Sequence, residues 1–192
     1  MSLKHILPGM PAEPQSGYDL KKNFDGSARS FWYAELSQIY PQLQKLEDEG
    51  FLSSKQEASS KGPPRRVYRR SSKGRRELFK WLRSGPKIDK ARISYLGQVS
   101  LLPALESPEE SLDFFRQLRK EVAAQLSRVE GIDRGLRDCH PSYPDDGTDW
   151  ELHANITIRH GLKRLTATLE WCDESIERIE ARAAAAKRRK RA

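Results

Sequence analysis

The side chains with the most chemistry available to them are basic, and they are concentrated. The chain has 192 residues, with 35 Lys+Arg against 27 Asp+Glu and a formal net charge of +8. Eight basic residues and no acidic one fall between Lys61 and Arg76, in KGPPRRVYRRSSKGRR. An ordinary solvated face mixes signs. A run of one sign repels itself until a polyanion neutralises it. The chemistry of this stretch, which holds Lys61, Arg65, Arg66 and Arg69, is therefore phosphate contact. A merely solvated loop is the alternative.

Other chemistries lack their residues. There is no G-x-S-x-G nucleophile turn, no Gly-rich phosphate loop and no H-E-x-x-H. Glu109-Glu110 and Asp145-Asp146 belong to a helix start and a loop. None of His5, His140, His153 and His160 lies three or four residues from another, so no metal site is expected. Cys139 and Cys172 are too few for a disulfide framework and read as reduced thiols of a cytoplasmic protein. No apolar run is long enough to cross a bilayer, and Met1 to Gly9 holds no secretory signal. The expectation is a cytoplasmic, nucleoid-associated protein that is not an enzyme, carries no cofactor and binds no membrane.

The charge divides the chain. Residues 1–85 carry a net +7, residues 86–186 a net −4, and the tail Lys187 to Arg191 adds +5. The chain thus has a basic front half at 1–85, a mildly acidic back half at 86–186, and a basic tail at 187–192. The tail is either a frayed, disordered helix end or a source of non-specific DNA affinity.

The fold expected is mainly α with a small β-hairpin. Residues 17–28 form a short helix with Tyr18, Leu20 and Phe24 as its apolar positions and Gly26 near its end. Residues 37–49 form the clearest helix of the front half. Leu36, Ile39, Leu43 and Leu46 are spaced 3, 4 and 3, one buried stripe, and Gly50 stops the helix. Its opposite face carries Ser37, Gln38, Gln42 and Lys45, with Tyr40 at the edge, side chains able to bond base edges and phosphates. Strands at 51–57 and 66–70 flank a turn-forming linker, residues 58–64. Ser71 or Ser72 then caps a helix whose apolar face is Leu78, Trp81 and Leu82. That order is a winged helix-turn-helix, in which the second helix of the pair reads the major groove and the wing touches flanking backbone.

The back half is helical. Ser107, Pro108 and Glu110 mark the start of a helix running to about Glu130. Gly131, Gly135 and residues 141–147 are expected to break it. A last helix runs from Thr148 or Asp149 to about Ala186. Ile158, Leu162, Leu165, Leu169, Cys172, Ile176 and Ile179 alternate spacings of 4 and 3 along it, a heptad seam. The seam packs either on residues 108–130 of the same chain or on a second copy, a homodimer being favoured because two half-sites make a specific target. Trp150, Trp171 and Trp32 are either packing residues or an aromatic wall for a planar effector.

SGYDL at 16–20, SQIYPQL at 37–43, LEDEGFL at 46–52, and Tyr68 with Ser71 and Gly74-Arg75 resemble the PadR family of bacterial transcriptional regulators. The match is ordered and covers roughly residues 3–83. The back half resembles, in outline, the longer members with a vir-type C-terminal region. The resemblance implies a winged helix with a helical dimerisation domain, promoter repression, and release by a small molecule such as a phenolic acid. It implies DNA contact by Ser37, Gln38, Tyr40, Lys45, Arg65 and Arg66. The chain departs from the family pattern in Pro8 and Pro11, which leave either a short, kinked first helix or an irregular entry to the domain, in Arg70 at the end of the wing, and in Pro63-Pro64, which stiffen its tip. A sequence-indifferent nucleic-acid binder and a protein-interaction module are the competing readings.

Overall fold

The computed structural model describes residues 3–9, 13–27, 35–59, 62–88, 93–140, 142–145 and 147–189. It divides into two compact units, Met1–Lys90 and Ala91–Ala192.

The first unit is built on a buried cluster of Leu7, Leu20, Phe24, Ile39, Leu43, Leu46, Phe51, Leu52 and Tyr68. Helix α1 (Leu3–Gly9) is short and contains Pro8. A brief strand β1 (Gln15–Ser16), which no alternation in the sequence announces, pairs antiparallel with the returning wing strand through Gln15 and Tyr68 and through Ser16 and Val67. It leads directly into α2 (Gly17–Ser27). Ser16 and Asp19 fasten that start reciprocally. The Ser16 hydroxyl donates to Asp19 Oδ2 at 2.7 Å and accepts from the Asp19 amide at 3.1 Å. Leu20 and Phe24 are buried as expected, but Tyr18 is 65% exposed. Two residues before Leu20, it projects from the opposite side of the helix.

Helix α3 (Leu36–Asp48) buries Ile39, Leu43 and Leu46 completely. Leu36 departs from the expected stripe: at the first helical position it is 37% exposed. At the other end Gly50 adopts φ +72°. Its amide donates to Glu47 O at 2.8 Å while the Phe51 amide reaches Leu46 O at 2.8 Å, an αL stop that turns the chain into the wing.

The wing consists of β2 (Leu52–Ser59) and β3 (Gly62–Arg70), antiparallel, with Leu52 opposite Arg70 and Glu57 opposite Arg65. Both strands are longer than the sequence suggests. Residues 62–64, expected in the linker, continue β3 and include both prolines. Strand order is β1-β3-β2, and β1 reaches only Val67 and Tyr68. Among the described residues one edge of β3 at Pro63-Pro64 has no neighbouring strand, so a missing N–H directed there breaks no ladder.

Helix α4 (Ser72–Arg83) begins on Ser71, whose hydroxyl accepts from the Gly74 amide at 3.0 Å. Leu78 is buried and Trp81 stacks on His5 of α1 with ring centroids 5.0 Å apart. Leu82, expected on the apolar face, is 59% exposed.

The second unit is helical. It opens with α5 (Ser94–Leu101) and a 3₁₀ turn (Leu102–Leu105), neither legible in the sequence pattern. Helix α6 (Pro108–Cys139) starts on Ser107, which accepts from the Glu110 amide at 3.2 Å. It continues past the expected stop at Glu130. Gly131 and Gly135 stay helical on its solvent side, where a side chain would meet nothing, while Ile132 and Leu136 extend the apolar stripe. Each glycine costs about 1 kcal/mol relative to alanine, less than the packing that carries the helix on.

Helix α7 (Asp149–Arg189) runs antiparallel to α6 and includes Lys187, Arg188 and Arg189, which are helical; Lys190 onward lies outside the described residues. The heptad seam finds its partner within the chain. Ile158 and Leu165, flanked by Leu162 and Leu169, pack with Val122 and Val129 of α6. The seam alone therefore gives no argument for a second copy.

Candidate nucleic-acid interface

Because Ile39, Leu43 and Leu46 point into the core, the helical period turns Ser37, Gln38, Tyr40, Gln44 and Lys45 to solvent. Gln42, half-buried, stands at the border of that face. Gln38 has a local duty as well. Its Oε1 accepts from the Glu35 amide at 3.1 Å, one half of a capping box that fixes where α3 begins. Lys45 lies 4.0 Å from Glu49, an exposed pair that leaves the ammonium available.

Tyr40 meets the start of α2 and the wing. Together Ser16, Gly17, Tyr18, Asp19, Tyr40, Arg65, Arg66 and Tyr68 line an open cleft of about 520 Å³. Arg65 reaches toward Asp19 at 3.8 Å. Arg66 lies over the Tyr68 ring at 5.5 Å and bonds back to α3 through Glu47 and Gln44. Burial pushes the Tyr68 phenol above its ordinary pKa, partly opposed by the Arg66 charge, so it remains a neutral hydroxyl. The cleft thus gathers phenol and guanidinium donors beside the polar face of a helix. Donors of that kind hold phosphate, and the amides and ammonium of the face suit base edges.

The basic run is split. Arg65 and Arg66 join Tyr40, whereas Arg69 lines a separate cleft with Arg70, Ser71, Ser72, Arg75 and Phe79. Arg70 is tied to α1 by a bond to Pro8 O at 2.8 Å. Lys61 lies outside the described residues. Tyr18, Asp19, Gln44 and Glu47 join the site only through folding. The exposure of Tyr18 is legible in the sequence: it cannot share a helical stripe with Leu20 and Phe24.

The tryptophans divide too. Trp171 packs edge-on against Phe115 at 5.3 Å and lies 6.1 Å from Tyr95. Trp150 is 57% exposed. It precedes Trp171 by 21 positions on one helix, about 31 Å at 1.5 Å per residue. The two cannot wall one site within a chain. Trp32 lies outside the described residues.

No helix among the described residues is long and apolar enough to cross a membrane. Residues 6–80 match the transcriptional regulator PadR-like family, and residues 102–180 match the virulence activator alpha C-term family. The chain is 30% identical over 184 residues to the negative transcriptional regulator PadR of Bacillus subtilis, covering 93% of this chain and 97% of that one. The crystal structure of Bacillus subtilis PadR in complex with operator DNA aligns with a TM-score of 0.72 at 25% identity, covering 92% and 97% of the two chains. That protein in complex with p-coumaric acid aligns at 0.67 and 24% identity over the same shares. The sequence relationship extends over both units and nearly the whole length of the relative, and the chain belongs to the PadR-like family of transcriptional regulators.

Proposed function

We propose that this regulator is a homodimeric repressor that binds duplex operator DNA through the first unit and releases it when a small aromatic effector binds the second. The observation that carries the DNA reading is that Tyr40, on the exposed face of α3, lines one cleft with the wing residues Arg65 and Arg66. Ser37, Gln38, Tyr40 and Lys45 meet the major groove, with Gln42 at the border, and the wing arginines meet the flanking backbone. Residues 1–85 are the reading head, 86–186 the dimerisation and effector region, and 187–192 the basic tail. The protein works at the nucleoid in the cytoplasm as a regulator and not as a catalyst.

Dimerisation is supported by apolar side chains that the chain leaves uncovered. Trp150, Leu152 and Ile156 on α7, and Ile93, Leu96, Leu101 and Leu105 around α5, are all more than a third exposed. Leu152 and Ile156 stand one turn apart on one face of α7, an exposed apolar pair of the kind a second copy covers. The effector reading is supported by the Tyr95, Phe115 and Trp171 cluster and by the phenolic ligand of the Bacillus subtilis relative.

The experiment is a mobility shift on DNA upstream of the protein's own gene, with unrelated duplex as competitor at fixed salt, followed by titration with p-coumaric acid. A shift that resists the competitor and collapses on titration supports the proposal. Equal competition by any duplex supports instead a sequence-indifferent polyanion binder, a reading favoured by the second arginine cleft at Arg69, Arg70 and Arg75.

A further inference from the structure

Arg65 and Arg66 are neighbours on the wing, yet they are held very differently. Among the described residues Arg65 makes one loose contact, 3.8 Å to Asp19. Arg66 has all three of its guanidinium nitrogens engaged. Nε donates to Ser54 Oγ at 2.7 Å, Nη1 to Gln44 Oε1 at 2.9 Å, and Nη2 to the carboxylate of Glu47. Ser54 in turn donates to the other Glu47 oxygen at 2.7 Å. The cluster ties β2, β3 and α3 together, and its charge is balanced internally. It is not sealed: the Arg66 side chain is 45% exposed and lies within the cleft that holds Tyr40.

From this arrangement we infer that Glu47 is a specificity-determining residue, one that withholds Arg66 from DNA until a phosphate displaces its carboxylate. The inference rests on the DNA-binding reading above. A free arginine beside a polyanion attracts any duplex and releases a counterion on binding any phosphate. An arginine already paired gains little from such an encounter, because one anion merely replaces another. The exchange becomes favourable only where a well-docked duplex presses a phosphate into the guanidinium fork and the same approach gives Gln44, freed from Arg66, a new partner. Glu47 therefore weakens sequence-indifferent binding more than operator binding, and selectivity rises.

Salt titration reads this directly, because each phosphate neutralised adds about 0.9 to the slope of log affinity against log salt. The probe is random duplex DNA with the full-length protein. Glu47→Gln keeps one carbonyl acceptor, for Arg66, turns its amide donor to the Ser54 hydroxyl, which can accept, and removes the charge. Its slope is expected to steepen by about 0.9, so that its gain over the wild-type protein shrinks about threefold between about 50 and about 200 mM salt. Its preference for operator over random DNA is expected to fall. The double variant Glu47→Gln/Arg66→Ala removes a pair of zero net charge and is expected to keep the wild-type slope. An unchanged slope in Glu47→Gln, or a double variant shallower than wild type by about 0.9, would overturn the inference. If Glu47→Gln does not fold, the double variant still decides, because an arginine already bound to phosphate in the wild type would register as that loss. Failure of the functional reading looks different: the wild-type protein would then show no preference for its operator at all.

Discussion

The ring of Tyr40 occupies the space that a side chain on Gly17 would need: a Cβ at Gly17 would stand 2.5 Å from Cε1 of Tyr40 and 3.1 Å from its Cζ. This contact joins the first residue of α2 to the exposed face of α3. It gives Gly17 a role in aiming a tyrosine that lies 23 positions further along the chain.

Gly17→Ala should therefore act on DNA binding more than on folding. Tyr40 is 47% exposed, so its ring can swing away from an added methyl without disturbing the core. The expected outcome is a loss of operator affinity of roughly tenfold, equivalent to about 1.4 kcal/mol, with little change in the melting temperature. Fluorescence anisotropy on labelled operator, paired with a thermal melt, reads both quantities.

Gly74→Ala should show the opposite division. A Cβ there would lie 2.2 Å from the carbonyl oxygen of Phe51, a backbone atom that cannot rotate aside. Alanine is ordinarily the better helix former by about 1 kcal/mol. Here the clash reverses that sign, and a destabilisation of about 1–3 kcal/mol is expected from urea unfolding. A more stable variant would mean that α4 does not close onto Phe51 as described.

The two halves of the chain were unequally legible, for physical reasons. In the first unit, local signals and tertiary packing agree: the stripe Ile39, Leu43 and Leu46, the stop at Gly50 and the cap at Ser71 each act within a few residues. Strand β1 was invisible because two residues carry no period, and its partner, Val67 and Tyr68, lies some fifty positions away. In the second unit, Gly131 and Gly135 looked like stops, yet Ile132 and Leu136 pack against α7 strongly enough to carry the helix through. The seam on α7 showed that a partner helix exists but not which chain supplies it. At the site, charge density located the wing, but it gave no means of telling Arg65 from Arg66. Their difference depends on Glu47 and Ser54, which only folding brings beside Arg66.

Tyr143 ties the connection between α6 and α7 to both helices. Its hydroxyl donates to Asp133 Oδ1 at 2.9 Å and accepts from the buried Asn155 Nδ2 at 2.9 Å. Tyr143→Phe leaves the shape nearly unchanged and strands the Asn155 donor. A cost of about 1–3 kcal/mol is expected, read by equilibrium unfolding. No measurable cost would mean that water already reaches Asn155.

The same connection should loosen in acid. The Glu151 carboxylate is held below its ordinary pKa chiefly by the Thr148 amide, at 2.6 Å, and by the Thr148 hydroxyl, at 2.9 Å. His140 lies 2.7 Å away on the other oxygen. Because the folded value is depressed, this stabilisation is fully present above the ordinary glutamate range and is lost as pH falls through the lower folded value. Glu151→Gln should be less stable than the wild-type protein near neutral pH. The gap between their melting temperatures should narrow as the solution is acidified below the ordinary glutamate range. A gap that does not change with pH would remove Glu151 as the cause.

The central claim is that α3 reads DNA through its exposed face, with Tyr40 at the focus. Its most direct test is the ratio of affinities for operator and scrambled duplex, measured at one salt concentration for the wild-type protein and for Tyr40→Ala. The wild-type ratio is expected at about 10³ or above. Tyr40→Ala is expected to lose most of that ratio while keeping its helical content and its sedimentation behaviour. A Tyr40→Ala protein that keeps the wild-type ratio would contradict the account.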